Sequence, residues 1–214
     1  MTKLQKRLLP LYLAAFFQGF VLYYVADKLL ADSVGLTATN IAVVVAVMSG
    51  VTVLAEIPSG ILADRWSRRG TLIVAQVFLG LSVLFGAFAD SGVWYVMNAL
   101  AWGLFYAMYS GVYQAVTYDT LYEEQGHAKN YDKIFGRVGQ AEGLAMLAGS
   151  IIGGVVLARW GIHATYFATI PSVVLGVVAL LFLHEPQFHK QEQADTNLIK
   201  HTKDTFKATA SSGV

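Results

Sequence analysis

The chain has 214 residues, 56% of them hydrophobic and 14% charged, with a formal net charge of +1 and a mean hydropathy of +0.53. Soluble domains carry about a quarter charged residues, so this composition is that of a membrane protein, and the near-neutral charge gives no footing for nucleic acid. The chain has no cysteine, which excludes disulfides, thiolate nucleophiles and cysteine-held metals.

Lys3, Lys6 and Arg7 lead into an apolar run that is too long for a signal-peptide core and has no small-residue cleavage site at its end. Six apolar runs follow one another, at 8–30, 41–62, 71–89, 93–121, 134–157 and 164–183. Each matches the roughly 20 residues a bilayer-spanning helix needs. In lipid such runs must satisfy their own backbone hydrogen bonds, which makes them helices. Thr37 or Thr39 is placed to cap the second, and Asp90-Ser91-Gly92 reads as a tight turn after the third. The fourth run is longer than a bilayer requires, so it tilts or projects.

Lysine and arginine set the orientation. With the N-terminus inside, the cytoplasmic side holds Lys3, Lys6, Arg7, Arg65, Arg68, Arg69, Lys129, Lys133, Arg137, Lys190, Lys200, Lys203 and Lys207. Only Lys28 and Arg159 fall outside. An odd number of spans would spoil this asymmetry, so it supports six spans with both termini cytoplasmic. Pro186 is expected to end the sixth helix. Residues 1–186 then form the membrane domain and 187–214 a polar cytoplasmic tail, in which Leu198, Ile199 and Phe206 are candidates for a weak interfacial face.

The most informative segment joins the second and third runs: Gly60-Ile61-Leu62-Ala63-Asp64-Arg65-Trp66-Ser67-Arg68-Arg69-Gly70. It resembles the loop between helices 2 and 3 of the major facilitator superfamily, roughly G-x-L-A-D-R-x-G-R-R, with Ser67 where that family usually has Gly. The resemblance implies an all-α membrane fold of six helices arranged as two inverted three-helix repeats, half of the twelve-helix carrier. Gly60 through Arg65-Trp66 and Gly154 through Arg159-Trp160 share the spacing of such a repeat, although Gly and basic-aromatic pairs are common at membrane interfaces. The implied function is secondary active transport of a small molecule across the cytoplasmic membrane by alternating access, as efflux of a drug-like compound or metabolite. The competing reading is a truncated or half-size membrane protein that acts only as a fragment or interaction subunit. The implied partners are the substrate, the lipid bilayer, and a second six-helix half or a second copy of the chain. No cofactor or metal is expected. No nucleophile, base and orienter stand at enzyme-like spacing.

The resemblance makes Gly60, Asp64, Arg65, Arg68 and Arg69 a gating loop, with Gly60 admitting a neighbouring helix and the charges latching the cytoplasmic side. A plain topology anchor is the alternative. Asp119 near the end of the fourth helix and Arg137 near the start of the fifth are placed to join that loop, with Glu123 or Glu124 as substitutes for Asp119.

The string Glu56-Ile57-Pro58-Ser59-Gly60 also resembles the efflux branch, and Glu56 is either a functional carboxylate or one paired with an arginine of its own loop. Glu142 sits about 12 Å into the fifth helix. It suits proton coupling or, equally, a protonated structural hydrogen bond. Gly149-Ser150-Ile151-Ile152-Gly153-Gly154 is similar to the fifth-helix motif of drug antiporters, with Ser150 in place of Pro. Close helix packing accounts for it just as well. Ala99 stands where those antiporters carry the arginine of their usual proton scheme. Gln18, Asn98, Gln114 and Asp27 are further candidates for lining a substrate cavity.

Overall fold

A computed structural model describes residues 3–187, and in them the chain is helical with no strand. The helices are α1 (Lys3–Gly19), the short α2 (Asp27–Ser33), α3 (Ala38–Arg65), α4 (Arg68–Ala87), α5 (Gly92–Gln125), α6 (Tyr131–Trp160) and α7 (Ile162–Leu181). Five segments are long and apolar enough to cross a membrane: Lys3–Val25, Ala38–Arg65, Arg68–Ala87, Tyr131–Trp160 and Ile162–Leu181. The sixth expected span, α5, has ample length at 34 residues. Its tyrosines, together with Asn98 and Gln114, interrupt its apolar stretches and leave it out of those five.

The first apolar run is not one helix. α1 stops at Gly19, and a single 3₁₀ turn over Tyr23–Val25 leads into α2. A break inside a membrane is tolerated only where other groups satisfy the freed backbone. Here α7 supplies them. Thr169 Oγ1 accepts the Leu22 N–H at 3.1 Å, and Ser172 Oγ donates to the Phe17 carbonyl at 2.6 Å. The apolar run continues through the break, so no local pattern marks it.

Thr37 caps α3 reciprocally with Asn40, and α3 runs unbroken through Pro58. α7 ends at Leu181, five residues before Pro186, so the proline follows the helix end instead of causing it. The residues proposed as an interfacial face, Leu198, Ile199 and Phe206, lie outside the described residues, as does all of the expected tail beyond Gln187.

The packing is selective. α4 and α7 pack on each other. α5 packs on α3 and α4, and α1 packs on α6 and α7. Glycines set the closest approaches. Gly149 and Gly153 of α6 lie against the backbone of Val21 and Leu22, where α1 unwinds. A side chain at Gly149 would meet the Val21 carbonyl oxygen at 3.0 Å. Close packing thus accounts for Gly149 and Gly153 of the Gly149–Gly154 motif but not for Gly154, which faces open space. On the other flank Gly103 of α5 abuts Met48 and Thr52 of α3.

Two apolar clusters fill the interior. One, near the α1 N-terminus, holds Leu8, Leu11, Leu72, Val116, Leu121 and Leu180. The other, toward α2, holds Val21, Leu30, Leu79, Val83, Tyr95 and Tyr166. By contrast, α3 buries only Ser59 and Ala63, and its Val53, Leu54 and Ile57 are among the most exposed apolar residues.

Candidate functional site

The charged loop is short because two capped helices meet there. α3 ends at Arg65, and Ser67 is the N-cap of α4, its Oγ accepting the Gly70 N–H at 2.8 Å. A serine before a helix start is a good N-cap because its oxygen satisfies an otherwise orphan N–H. This gives the one departure from the loop pattern a structural job. The signal was present in the sequence as a cap residue directly before Arg68-Arg69.

The helix N-terminus also takes an anion. Both Glu185 carboxylate oxygens receive hydrogen bonds: Arg68 N–H to Oε1 at 2.9 Å, Arg69 N–H to Oε2 at 2.9 Å, and Ser67 Oγ to Oε2 at 2.8 Å. Unpaired N–H groups and the helix dipole favour negative charge there. Glu185 thereby pins the segment after α7 beneath the loop. Sequence reasoning missed it, because its partners lie more than a hundred residues away.

Arg68 is the buried member of the loop. Its Nη1 donates to Asp119 Oδ2, while Nη2 reaches Asp64 Oδ1 at only 3.4 Å. The side chains of Arg68 and Asp119 are 10% and 5% exposed, whereas that of Asp64 is 51% exposed. The cluster therefore has a fixed floor, Arg68–Asp119, which ties α4 to α5, and a loosely held Asp64 above it. Arg65 is exposed and Arg69 half-buried. Arg137 lies elsewhere, exposed in a groove with Leu4, Tyr12, Asn130 and Lys133. α6 packs chiefly on α1, which carries Arg137 to this groove.

Glu123 and Glu124 bind Arg7 of α1, each at 2.6 Å, and Lys3 reaches Glu124 at 3.2 Å. These hydrogen bonds, from Arg7 first and then Lys3, hold the Glu124 carboxyl below the usual carboxylate range. The last turns of α5 thus carry two separate ion clusters, one to α4 and one to α1.

Glu56 is exposed, in a groove of about 390 Å³ that it shares with Gly60, Asp64, Ser110, Gly111 and Gln114. A Cβ at Gly60 would meet no neighbour within 4 Å, so among the described residues no helix closes on that side of it. Ser59, beside it, does join α3 to α5, donating to the Ala107 carbonyl at 3.0 Å.

Glu142 faces α5 and accepts from Tyr109 Oη at 2.7 Å. Gly19 passes directly against its backbone carbonyl. Gln18 is buried. Asn98 is buried too, and its amide donates to the Ser82 carbonyl at 2.7 Å and to Ser82 Oγ at 3.1 Å. Asp27, at the start of α2, accepts hydrogen bonds from Tyr95 and Tyr166, both at 3.2 Å. The candidates therefore fall into separate places. Glu56, Gly60, Asp64 and Gln114 share one groove, Asp27 and Asn98 border one cavity, and Glu142 stands with Tyr109.

Long apolar helices around a charged, capped inter-helix loop define a multi-pass membrane protein. The sequence profile of the Major Facilitator Superfamily matches residues 8–213, and the chain belongs to that family. It is also 23% identical, over 196 residues, to an uncharacterized MFS-type transporter of Methanocaldococcus jannaschii. That alignment takes in 90% of this chain and 50% of the relative, so the chain spans about half the length of the curated relative it matches.

Proposed function

We propose that this chain provides one six-helix half of a secondary active transporter of a small molecule in the cell membrane. The proposed cycle is alternating access, with a drug-like compound or metabolite moved outward and a second half, or a second copy, closing the cavity. Both termini are cytoplasmic in this reading, and α5 is the sixth span. The observation that carries it is the contrast within the loop: Arg68 is locked to Asp119 while the Asp64 side chain stays half-exposed. A carboxylate held that loosely can exchange partners between two conformations, as a gate must. A pure anchor would have no use for a negative charge among arginines.

The packing pattern supports the two inverted repeats. Exchange α1, α3 and α4 for α5, α6 and α7. The α1–α6 contact then becomes α5–α3, α1–α7 becomes α5–α4, and α4–α7 maps onto itself. Gly60 and Gly154, at matching places in α3 and α6, are both open. The efflux direction rests on the resemblance of Glu56–Gly60 and Gly149–Gly154 to that branch.

Topology is testable directly because the chain has no native cysteine. An Ala128→Cys variant is expected to resist a membrane-impermeant thiol reagent in intact cells, and a Gly92→Cys variant to react. The reverse pattern would invert the orientation, and labelling of both from one side would remove α5 as a span.

A further inference from the structure

Where α1 gives way to α2, the bundle opens into a cavity of about 340 Å³. That is at the small end of the range for small-molecule sites, roughly 300–1,000 Å³. Its walls are aromatic and apolar: Tyr24, Tyr95 and Trp102 on one side, Val44 and Met48 of α3 on the other. Tyr24 stands edge-on to Trp102 with ring centroids 5.7 Å apart, and Trp102 is backed by Phe105 at 5.1 Å. The aromatic wall is therefore a built surface and not a single loose ring.

One carboxylate, Asp27, lines the same cavity. Its two hydrogen-bond donors, Tyr95 and Tyr166, are neutral hydroxyls. They orient the group without cancelling its charge. Lys28 also borders the cavity, but it is exposed and forms no ion pair with Asp27 among the described residues. A half-buried carboxylate with no ion-pair partner in contact among the described residues is costly against low-dielectric walls, and a positive charge that joins it lowers that cost. Aromatic faces attract cations through their quadrupole. An anionic ligand would meet both the carboxylate and the ring faces unfavourably. A metal ion would lack ligands, since no group of three or more acidic or histidine side chains is gathered among the described residues.

We propose that this cavity binds a compact organic monocation with an aryl or apolar body, its charge on Asp27 and its body against Trp102 and Tyr24. The proposal rests on the transporter reading only for its meaning as a substrate site. Binding can be measured without transport, so the two fail separately.

The test is isothermal titration of the purified full chain, in mild detergent, with benzyltrimethylammonium and with benzenesulfonate, an aryl ligand of opposite charge. Saturable binding of the cation alone is expected. Asp27→Asn should weaken it at least tenfold, and Trp102→Leu by several-fold, within the roughly 30-fold that a desolvated cation–π contact supplies. Lys28→Gln should tighten it, because it removes a positive charge from the rim of the cavity. Melting temperatures accompany each titration. Should Asp27→Asn prove unstable, Trp102→Leu carries the test, because that ring makes neither hydrogen bond to Asp27. No cation binding, equal binding of benzenesulfonate, or a Trp102→Leu affinity equal to that of the parent chain would each overturn the proposal. Cation binding with no transport, in particles that hold a second copy or a second six-helix unit, would overturn only the transporter reading.

Discussion

Arg68→Met is expected to destabilise the bundle by about 3–5 kcal/mol, because it removes the buried guanidinium that neutralises the Asp119 carboxylate. That corresponds to a fall in melting temperature on the order of 10 °C for a chain of this size. Asp119→Leu should cost a similar amount, since Asp64 at 3.4 Å is too distant and too exposed to replace Asp119 as a partner for Arg68. The double variant Arg68→Met/Asp119→Leu should return to within about 1 kcal/mol of the parent. The pair is not fully satisfied: Arg68 Nε is buried with no hydrogen-bond partner. Removing both charges therefore gives up little net stability. Thermal unfolding in detergent across this cycle checks the claim. A double variant as unstable as either single one would mean that the pair does more than neutralise itself.

Asp64→Asn should behave in the opposite way. The side chain is half-exposed and its one ion pair is long, and exposed pairs contribute about 0–1 kcal/mol. Melting temperature and membrane abundance should hardly move. If Asp64 is the proposed gate, transport by the assembled carrier should fall more than tenfold, because the negative charge is gone while the shape is kept. Parallel loss of protein and transport would leave Asp64 as a folding residue. Transport at the parental rate would remove it from the gate. The contrast between the two variants separates the floor of the cluster from the proposed gate.

Much of this was legible in the sequence, because membrane helices announce themselves locally. Apolar runs, the Thr37 cap, the Asp90-Ser91-Gly92 turn and the Gly60–Gly70 loop are all written in neighbouring residues. The Arg68–Asp119 pair was also within reach, since Asp119 is an acid two residues from the end of a long apolar run. What stayed hidden depends on residues far apart in the chain. The break after Gly19 is stabilised by Thr169 and Ser172. The α4 N-terminus is bound by Glu185. Arg7 takes Glu123 and Glu124, which removes them as alternatives to Asp119 at Arg68. Arg137 shows the same limit from the other side. Its place in the sequence fits the loop cluster, yet the packing of α6 on α1 carries it to another groove.

The exposed face of α3, with Glu56 and Asp64 on it, and the open glycines Gly60, Gly111, Gly139 and Gly143 need an occupant if the chain is one half of a carrier. Charged groups left facing hydrocarbon cost about 2.5–3.5 kcal/mol each on insertion scales. The most direct measurement joins mass to activity: the chain is purified in mild detergent, its particle mass determined, and each species reconstituted into liposomes for substrate flux. The account predicts that a single copy is inactive and that flux appears only in particles holding a second copy or a second six-helix unit. A stable single copy that carries substrate across the bilayer would contradict it.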